Sequence, residues 1–339
     1  MGVRGPMDSL TQIVLGAAVG EAVLGKKVGN KAPLFGAIAG TIPDLDVLAR
    51  YFVDTVTATE WHRGFSHSVL FSVLFAPVFG WLVWKLLRKK EATWRDWSWL
   101  FFWGLFTHPI LDAFTTWGTQ LFWPFQTRLA FQNIFVIDPL YTLPFLVFLI
   151  LTMSQKRTSP KRRRFNTLGL VVSSGYLLLT LVLKGLAYKV FVDSLEAQGI
   201  SYEQISTRPT PFNTVLWTAN VETKAAYLIG NYSFFDSRSI VFRAYPKNHE
   251  LLGSLETNDK ISRLITITEG WYTITKEDEV LFLNDLRFGL MSMDPNETKF
   301  AFTYKLEPTE TGCKVTETPK VPGDAKGLLA SLWKRIKGN

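Results

Sequence analysis

Four long apolar segments in the first 190 residues constrain the fold more than any other feature of the chain. They cover residues 67–87, 98–117, 138–153 and 166–190. A helix needs about 20 mostly apolar residues to cross the hydrocarbon core of a bilayer. Two weaker apolar segments, 10–25 and 32–49, are rich in Gly and Ala, which allows close helix packing inside a bundle. We therefore predict a polytopic α-helical membrane domain over residues 1–190.

Basic residues fall in alternate connections between the apolar segments. The three basic connections are 26–31, 85–95 (including Arg88, Lys89 and Lys90) and 156–164. The connections 50–66 and 118–137 contain few Lys and Arg residues. Because positive charge is retained on the cytoplasmic side, this pattern predicts a multi-pass membrane protein with the three basic connections in the cytoplasm. The two poorly basic connections, and everything after residue 190, are then extracytoplasmic.

The chain carries a net charge of +8, and residues 191–339 have a slight acidic excess, so all of the excess positive charge lies in the apolar half. A basic chain often binds nucleic acid. Here the Lys and Arg residues interrupt apolar segments and form no basic face, so we expect no nucleic-acid partner. The single cysteine, Cys313, excludes an intrachain disulfide framework and a thiolate metal cluster.

The pattern changes to that of a sheet after residue 190. Between residues 214 and 306, short runs rich in Val, Ile, Tyr, Phe and Thr alternate with turn residues, which is typical of antiparallel strands. Residues 258–268 are typical of a helix capped by Asn258. We predict that residues 191–339 form a small, soluble, extracytoplasmic α+β domain, mostly antiparallel β.

Two segments flank this predicted domain. The sequence of residues 193–206 predicts a short helix or a linker. Residues 325–338 are amphipathic and basic, so they either lie on the membrane surface or fray as a chain end.

Three of the four histidines lie in the apolar half, close to acidic residues. His108 and Asp112 are four residues apart, so they share one helix face. Ionisable groups within an apolar segment are energetically expensive and are by default functional candidates. The pair is suited to two metal ligands, or to a histidine ligand held by a carboxylate. The alternative is a purely structural His–Asp pair.

Two more elements add ionisable groups at the predicted extracytoplasmic side. Asp44 and Asp46 follow the second apolar segment, where one Asp could simply cap a helix. His62 and His67 lie where the chain enters the apolar segment 67–87 and, being five residues apart, do not share a face of a straight helix. A loop at Gly64 would let both converge, whereas the alternative is two ordinary solvated histidines.

Imidazole and carboxylate groups without thiolate suit a divalent cation such as Zn or Mn. The six candidate ligands are Asp44, Asp46, His62, His67, His108 and Asp112. They exceed the needs of one tetrahedral ion and would permit two ions, a frequent arrangement for cleaving phosphate esters.

Three further residues are candidates for catalytic roles. Arg63 is a candidate clamp for a phosphate group. Glu21 or Asp138 would act as a general base, or would hold a ligand in place. Asp138 has a simpler alternative role, because it precedes Pro139 and could be only a helix N-cap.

Four motifs in this order also resemble a known family. They are MDSLTQ at 7–12, IPDLD at 42–46, HRGFSHS at 62–68 and HPILD at 108–112. Together they resemble the YdjM-type family of membrane-bound, metal-dependent hydrolases, over roughly residues 7–190. The resemblance implies a location in the inner (plasma) membrane, the same six ligands and a phospholipid-like substrate. Gln12 stands where many relatives have His, so we do not count it as a ligand.

The leading expectation is a metal-dependent hydrolase that acts on a phosphoester or phospholipid at the extracytoplasmic face, with membrane lipids as its partners. One alternative is an intramembrane cation or proton transporter, which inverted repeats would favour. The other is a non-catalytic sensor or assembly protein stabilised by a metal. A closed coordination shell would favour that reading.

Overall fold

The computed structural model describes residues 7–87, 91–294, 297–309, 312–319 and 325–339. Arg88, Lys89 and Lys90 of the second basic connection lie outside this part. The chain forms a helical N-terminal half followed by a C-terminal domain with two antiparallel sheets. The predicted fold class is therefore confirmed.

The helical half is built from α-helices joined by short connections. They are α1 (Met7–Val28), α2 (Lys31–Thr41), α3 (Thr55–Trp61), α4 (Val69–Leu87), α5 (Trp94–Ala113), α6 (Pro139–Met153) and α7 (Pro160–Ala197). Two 3-10 helices, Pro43–Tyr51 and Phe65–His67, flank α3. Among the described residues, α4 and α7 are long and apolar enough to span a membrane, and α6 is apolar but shorter. Helix α2 and the 3-10 helix that follows it would make a third span if they are counted as one helix with a bend of 43°.

The two weak apolar segments pack as a tight hairpin of α1 and α2. A Cβ atom on Gly16 would lie 2.3 Å from the carbonyl oxygen of Gly36, and one on Gly20 would lie 2.4 Å from that of Ala32. Such approaches exclude any side chain, as in the small-residue contacts of membrane helices. These segments are therefore interior helices, in agreement with their Gly and Ala content.

The predicted span at 98–117 corresponds to α5, which ends at Ala113. Half of its residues are buried, among them Trp97, Leu100 and Leu105, because α1, α2 and α4 surround it. A helix surrounded by protein can carry polar groups that a lipid-facing helix cannot. This explains why α5 is less apolar than α4 and α7.

The described parts of the three basic connections meet at one end of the bundle. Lys27 lies 2.8 Å from Asp96 at the start of α5, and Lys31 lies 3.8 Å from Glu91. Arg157 donates to the carbonyl oxygen of Lys27 at 2.8 Å. The connections 50–66 and 118–137 lie at the other end, with the C-terminal domain.

Helix α7 continues without a break from the helical half into the C-terminal domain. Its 38 residues make it about 57 Å long at 1.5 Å per residue, well beyond the thickness of a bilayer core. Ala187, Phe191 and Leu195 bury its final turns against Trp217 and neighbouring strand residues. The prediction for 193–206 therefore needs correction, since the helix continues to Ala197 and a strand begins at Gln204.

The C-terminal domain contains two four-stranded meanders. The first sheet has the order β1 (Gln204–Pro209), β2 (Leu216–Glu222), β3 (Ala226–Ser233), β4 (Phe242–Pro246), and the second β5 (Tyr272–Glu277), β6 (Val280–Leu290), β7 (Phe300–Thr309), β8 (Gly312–Glu317). Strands β1 and β8 escaped prediction because their sequences are largely polar. Helix α8 (Asp259–Ile267) is capped by Asn258, as predicted. Helix α9 (Ala325–Ile336) follows the second sheet.

The C-terminal domain docks on the connections at the site end of the bundle. Val56 of α3 and Trp117 enter the same hydrophobic core as Ile261 of α8. The Trp117 ring stacks on Phe288 with a centroid separation of 5.6 Å. The domain therefore contacts the two connections that carry or flank the predicted metal ligands.

Candidate metal centre

Four side chains from three parts of the chain converge on one point. The Nε2 atoms of His67 and His108 lie 3.1 Å apart. Oδ1 of Asp44 lies 3.5 Å from the first and 3.4 Å from the second. Oδ2 of Asp112 lies 3.2 Å and 3.3 Å from the same two atoms. Among the described residues, this is the one group of three or more such ligands close enough to share an ion.

These separations fit a single cation. Ligand atoms bound to zinc at about 2.0–2.1 Å in a tetrahedron lie about 3.3 Å apart, close to the five distances given above. Oδ2 of Asp112 is buried and accepts no hydrogen bond from the described residues, although both Nε2 atoms are near. Apart from its ion-pair contact with Nε of Arg63 at 3.2 Å, this oxygen faces the centre of the cluster, where a metal ion would supply a partner.

The outer nitrogens of both rings lie close to oxygen atoms, which favours a proton on each Nδ1. Nδ1 of His108 donates to the carbonyl oxygen of Gly40 at 2.6 Å. Nδ1 of His67 lies 3.4 Å from Oδ2 of Asp46 and 3.0 Å from the Ser66 hydroxyl. With Nδ1 protonated, each ring presents its Nε2 lone pair to the other. Two facing lone pairs repel unless a cation lies between them, and this arrangement is typical of metal-binding histidines.

Local structure brings each ligand to this point. His108 and Asp112 lie on one face of α5, as their spacing predicted. Asp44 is in the first turn of the 3-10 helix that follows α2. His67 ends the short 3-10 helix before α4, after a turn in which Arg63 adopts a positive φ of 58°. A left-handed non-glycine residue is strained, and such strain concentrates at functional sites.

Asp46 and His62 lie beside the four ligands and do not join them. Oδ1 of Asp46 is 3.1 Å from Nδ1 of His62, and its Oδ2 accepts from the backbone N–H of Arg63 at 2.7 Å. The structure therefore brings together four of the six predicted ligands, with Asp46 and His62 as an adjacent pair, and a metal contact from that pair stays a prediction. The turn at Gly64 brings the two histidine rings within 6.3 Å, but only His67 turns its Nε2 toward His108.

Arg63 lies at the centre but faces a ligand. Its Nε is 3.2 Å from Oδ2 of Asp112, and its Nη1 donates to the Thr115 hydroxyl at 2.7 Å. The side chain is 3% exposed. In this position Arg63 holds Asp112, and the predicted role as a phosphate clamp stays a prediction.

Glu21 and Asp138 are not brought to the cluster. Arg162 binds both carboxylate oxygens of Glu21, at 2.6 Å and 2.7 Å, near the basic end of the bundle. Asp138 caps α6 through the backbone N–H groups of Leu140 and Tyr141, and its second oxygen accepts from Tyr176. Each carboxylate has structural partners away from the cluster, and the general-base role of both residues stays a prediction.

Two supporting residues were not predicted. Gln12 donates its amide to Oδ1 of Asp112 at 2.9 Å, so it supports a ligand from α1. Arg128 donates to the carbonyl oxygens of Glu60 and His62, and burial lowers its pKa to about 10, so it remains a cation at neutral pH. A lone arginine in the poorly basic connection 118–137 was the sequence signal that could have revealed it.

A cavity of about 710 Å³ opens beside the cluster. Polar atoms of Asp46, Ser66 and Gln120 line one part of it, and Leu45, Phe65, Trp61 and Trp123 line the rest. Of the four ligands, Asp44 is the most exposed, with 19% of its side chain accessible against 4% or less for the others. Solvent therefore reaches the cluster on the side of Asp44.

Comparison with known proteins identifies the helical half. Residues 7–187, more than half of the chain, match the model of the family described as YdjM inner membrane protein. No curated protein and no solved structure matches the chain. The match covers all four ligands and ends inside α7, before the first sheet. The chain therefore belongs to the YdjM inner membrane protein family.

Proposed function

We propose that the protein is a metal-dependent hydrolase of a lipid phosphoester at the extracytoplasmic face of the membrane. The observation that carries the proposal is the convergence of four ligand atoms beside a cavity of about 710 Å³ with both apolar and polar walls. Small-molecule sites commonly combine an apolar wall with a few convergent polar groups.

The cation would be held by His67, His108, Asp44 and Asp112. When bound, a divalent cation lowers the pKa of water and stabilises charge on a phosphoryl oxygen. Four protein ligands leave two positions open on an octahedral ion such as Mn, whereas they complete a tetrahedral shell on Zn. The hydrolase proposal therefore favours an ion of higher coordination number, with solvent and substrate entering on the side of Asp44.

The His62–Asp46 pair is the best candidate for moving a proton. Asp46 orients the ring through Nδ1 and also lines the cavity. A histidine held in one tautomer by a carboxylate is a common general acid or base. We assign proton transfer to or from the leaving group to His62, and orientation to Asp46.

The surroundings favour a substrate that is both anionic and apolar. Arg128 lies 5.4 Å from the centroid of the Trp117 ring and donates to the backbone carbonyl oxygens of Glu60 and His62. This positive charge suits a phosphate group. Large apolar side chains are exposed around the same end of the bundle, as at a membrane–water interface: Phe52, Trp61, Phe122, Trp123 and Phe125.

The orientation of the protein belongs to the same proposal. The basic connections share the end of the bundle opposite the cluster, and the positive-inside rule assigns that end to the cytoplasm. On this basis α4, α5, α6 and α7 cross the membrane, and the C-terminal domain is extracytoplasmic. Cysteine labelling with a membrane-impermeant reagent at Ser237→Cys and Ser154→Cys, in a Cys313→Ala background, tests it: only the first should react in intact cells.

The activity test uses purified full-length protein with phospholipid vesicles, in the presence of Mn or Zn, and follows phosphate-containing products by phosphorus NMR. We expect hydrolysis by the wild type and a loss of about 10³-fold or more in His67→Ala, because the ion supplies several kcal/mol of transition-state stabilisation. His249→Ala, which alters a histidine of the C-terminal domain, is the matched control and should remain active. Equal turnover by His67→Ala and the wild type would overturn the proposal.

The closed four-ligand set favours one other function. If the bound ion is tetrahedral Zn, the shell has no open position and the metal is structural, as in a sensor or an assembly protein. X-ray absorption of the loaded protein distinguishes the two. Coordination by four protein ligands alone supports the structural role, and additional oxygen ligands from solvent support the hydrolase.

A further inference from the structure

A second cavity, the sheet cavity, is lined mainly by the C-terminal domain, with Thr116 and Phe135 from the connection that follows α5, and none of the four proposed metal ligands lines it. It has a volume of about 300 Å³ and opens between the two sheets and helix α9. Its walls are mostly apolar and include Phe135, Phe212, Leu290, Met293, Leu328 and Leu332. This volume is at the lower end of the range of about 300–1,000 Å³ for small-ligand sites, so it suits one alkyl chain better than a two-chain lipid.

One buried cation faces this apolar cavity. Arg208 of β1 lines the wall and is only 6% exposed. Among the described residues its Nη1 has no hydrogen-bond partner, and its Nη2 makes only a long contact of 3.4 Å to Oδ1 of Asn220. Burial lowers the pKa of Arg208 to about 10, so it is still charged at neutral pH.

The nearby acid makes its direct contacts with a different arginine. Asp285 is bound by Arg287, whose Nη2 lies 2.8 Å from Oδ2 and whose Nε lies 3.1 Å from Oδ1. Asp285 therefore acts on Arg208 through its charge at longer range, which favours the charged guanidinium. A buried arginine without an acid in direct contact is unfavourable unless an anion binds to it.

The backbone of β6 is shaped around the guanidinium. The β6–β7 register shifts between Asp285 and Leu290, and Gly289 within this bulge has a φ of +72°. A Cβ atom on Gly289 would lie 2.5 Å from Nη2 of Arg208. Bulges commonly redirect side chains at functional sites. Here the bulge and the glycine make room for the cation at the cavity wall.

We infer that the sheet cavity binds a single-chain amphiphile with an anionic head group, a carboxylate or a phosphate, that Arg208 holds. The guanidinium matches either group through paired N–H donors. The membrane is the source that the structure favours, because α9 exposes Leu329 and Trp333 next to the cavity, a pattern typical of interfacial helices. This site needs no metal and does not depend on the proposed hydrolase function.

The test measures binding to the full-length protein in nanodiscs of zwitterionic lipid, by displacement of a fluorescent fatty acid. The probes are laurate, dodecyl phosphate and dodecanol, which share one chain length. We expect at least one of the anions to bind in a 1:1 ratio and at least 10-fold more tightly than dodecanol. The stronger of the two anions identifies the head group. Equal affinity for all three probes, or no saturable binding, would overturn the inference.

Variants separate the head-group contact from the chain contact. Arg208→Met should weaken binding of the anion by at least 10-fold and leave dodecanol unchanged, whereas Arg238→Met, at an exposed site of the same domain, should change neither. Ala301→Phe fills the cavity and should weaken all three probes. His67→Ala should bind like the wild type, which separates this site from the metal centre. An Arg208→Met protein that unfolds at the wild-type temperature and binds the anion normally would refute the inference.

Discussion

The two ends of the helical half each bury charged side chains, but they do so in opposite ways. At the basic end, Arg162 binds both oxygens of Glu21 and also donates to the side chain of Asn30 and the backbone of Gln155. Both charges of this buried pair therefore have protein partners. At the other end, two carboxylates and two imidazoles turn their acceptor atoms toward one point.

This difference distinguishes a structural ion pair from a ligand site. A buried pair is stable when the opposite charges and the hydrogen bonds match. The cluster of Asp44, His67, His108 and Asp112 instead concentrates acceptors, and the adjacent Arg63 offsets only part of the negative charge. The comparison predicts that the protein stays stable when Glu21 and Arg162 are both replaced by apolar residues. It also predicts that the four-ligand cluster needs a bound cation to be stable.

The largest expected effect follows loss of the cation. A chelator should lower the unfolding temperature of the wild type by 10 °C or more, because structural divalent metals contribute about 10 kcal/mol or more of folding free energy. His108→Ala should unfold at the same temperature with and without chelator, and elemental analysis should find no bound metal. Equal metal content in His108→Ala and the wild type would show that the cluster is not the site.

The next effect concerns the opposite end. Glu21→Ala leaves the buried Arg162 without its acid and should lower the free energy of unfolding by about 3–5 kcal/mol, with metal content unchanged. The double variant Glu21→Leu/Arg162→Leu should recover most of this loss, since an apolar pair suits the same site. Chemical denaturation of both variants measures the difference. Loss of metal in Glu21→Ala would return Glu21 to the candidate site residues.

The sequence predicts a contact at either end of the bundle only when the residues involved are close together in the chain. The spacing of His108 and Asp112 predicted their shared helix face, because helical geometry fixes it. The division between the ligand His67 and the outer His62 was not predictable, since it depends on a turn in which Arg63 has a positive φ. The Glu21–Arg162 pair joins residues 141 positions apart, and no local pattern reports such a contact.

The same limit applies to the C-terminal domain. Apolar alternation predicted the central strands, whereas β1 escaped because its sequence, QISTRP, is polar. One of the polar residues of β1 is Arg208, which lines the sheet cavity. The polar residue that hid this strand from prediction is therefore also a candidate binding residue.

A smaller effect is expected from the residues that hold the ligands. Asp46→Asn weakens the contact to Nδ1 of His67 and should reduce metal affinity about 10–100-fold, which corresponds to about 1.4–2.7 kcal/mol. Asp54→Asn is the matched control, because Asp54 only caps α3 and Asn is an equally good cap. Competition with a metal indicator dye gives both affinities. Unchanged affinity in Asp46→Asn would remove Asp46 from the ligand support.

The smallest effect is expected from a partly exposed ion pair that lies outside both the buried Glu21–Arg162 pair and the metal cluster. Arg263 of α8 binds Glu60 of α3, joining the C-terminal domain to the helical half, with both side chains about one-third exposed. Solvent screens such a pair, so a double-mutant cycle with Arg263→Ala and Glu60→Ala should give a coupling free energy of about 0.2–1 kcal/mol. Metal content should not change, because the hydrophobic contacts of Val56 and Trp117 still hold the domain. A coupling above about 2 kcal/mol, or a loss of metal, would mean that this ion pair transmits the docking of the domain to the ligands.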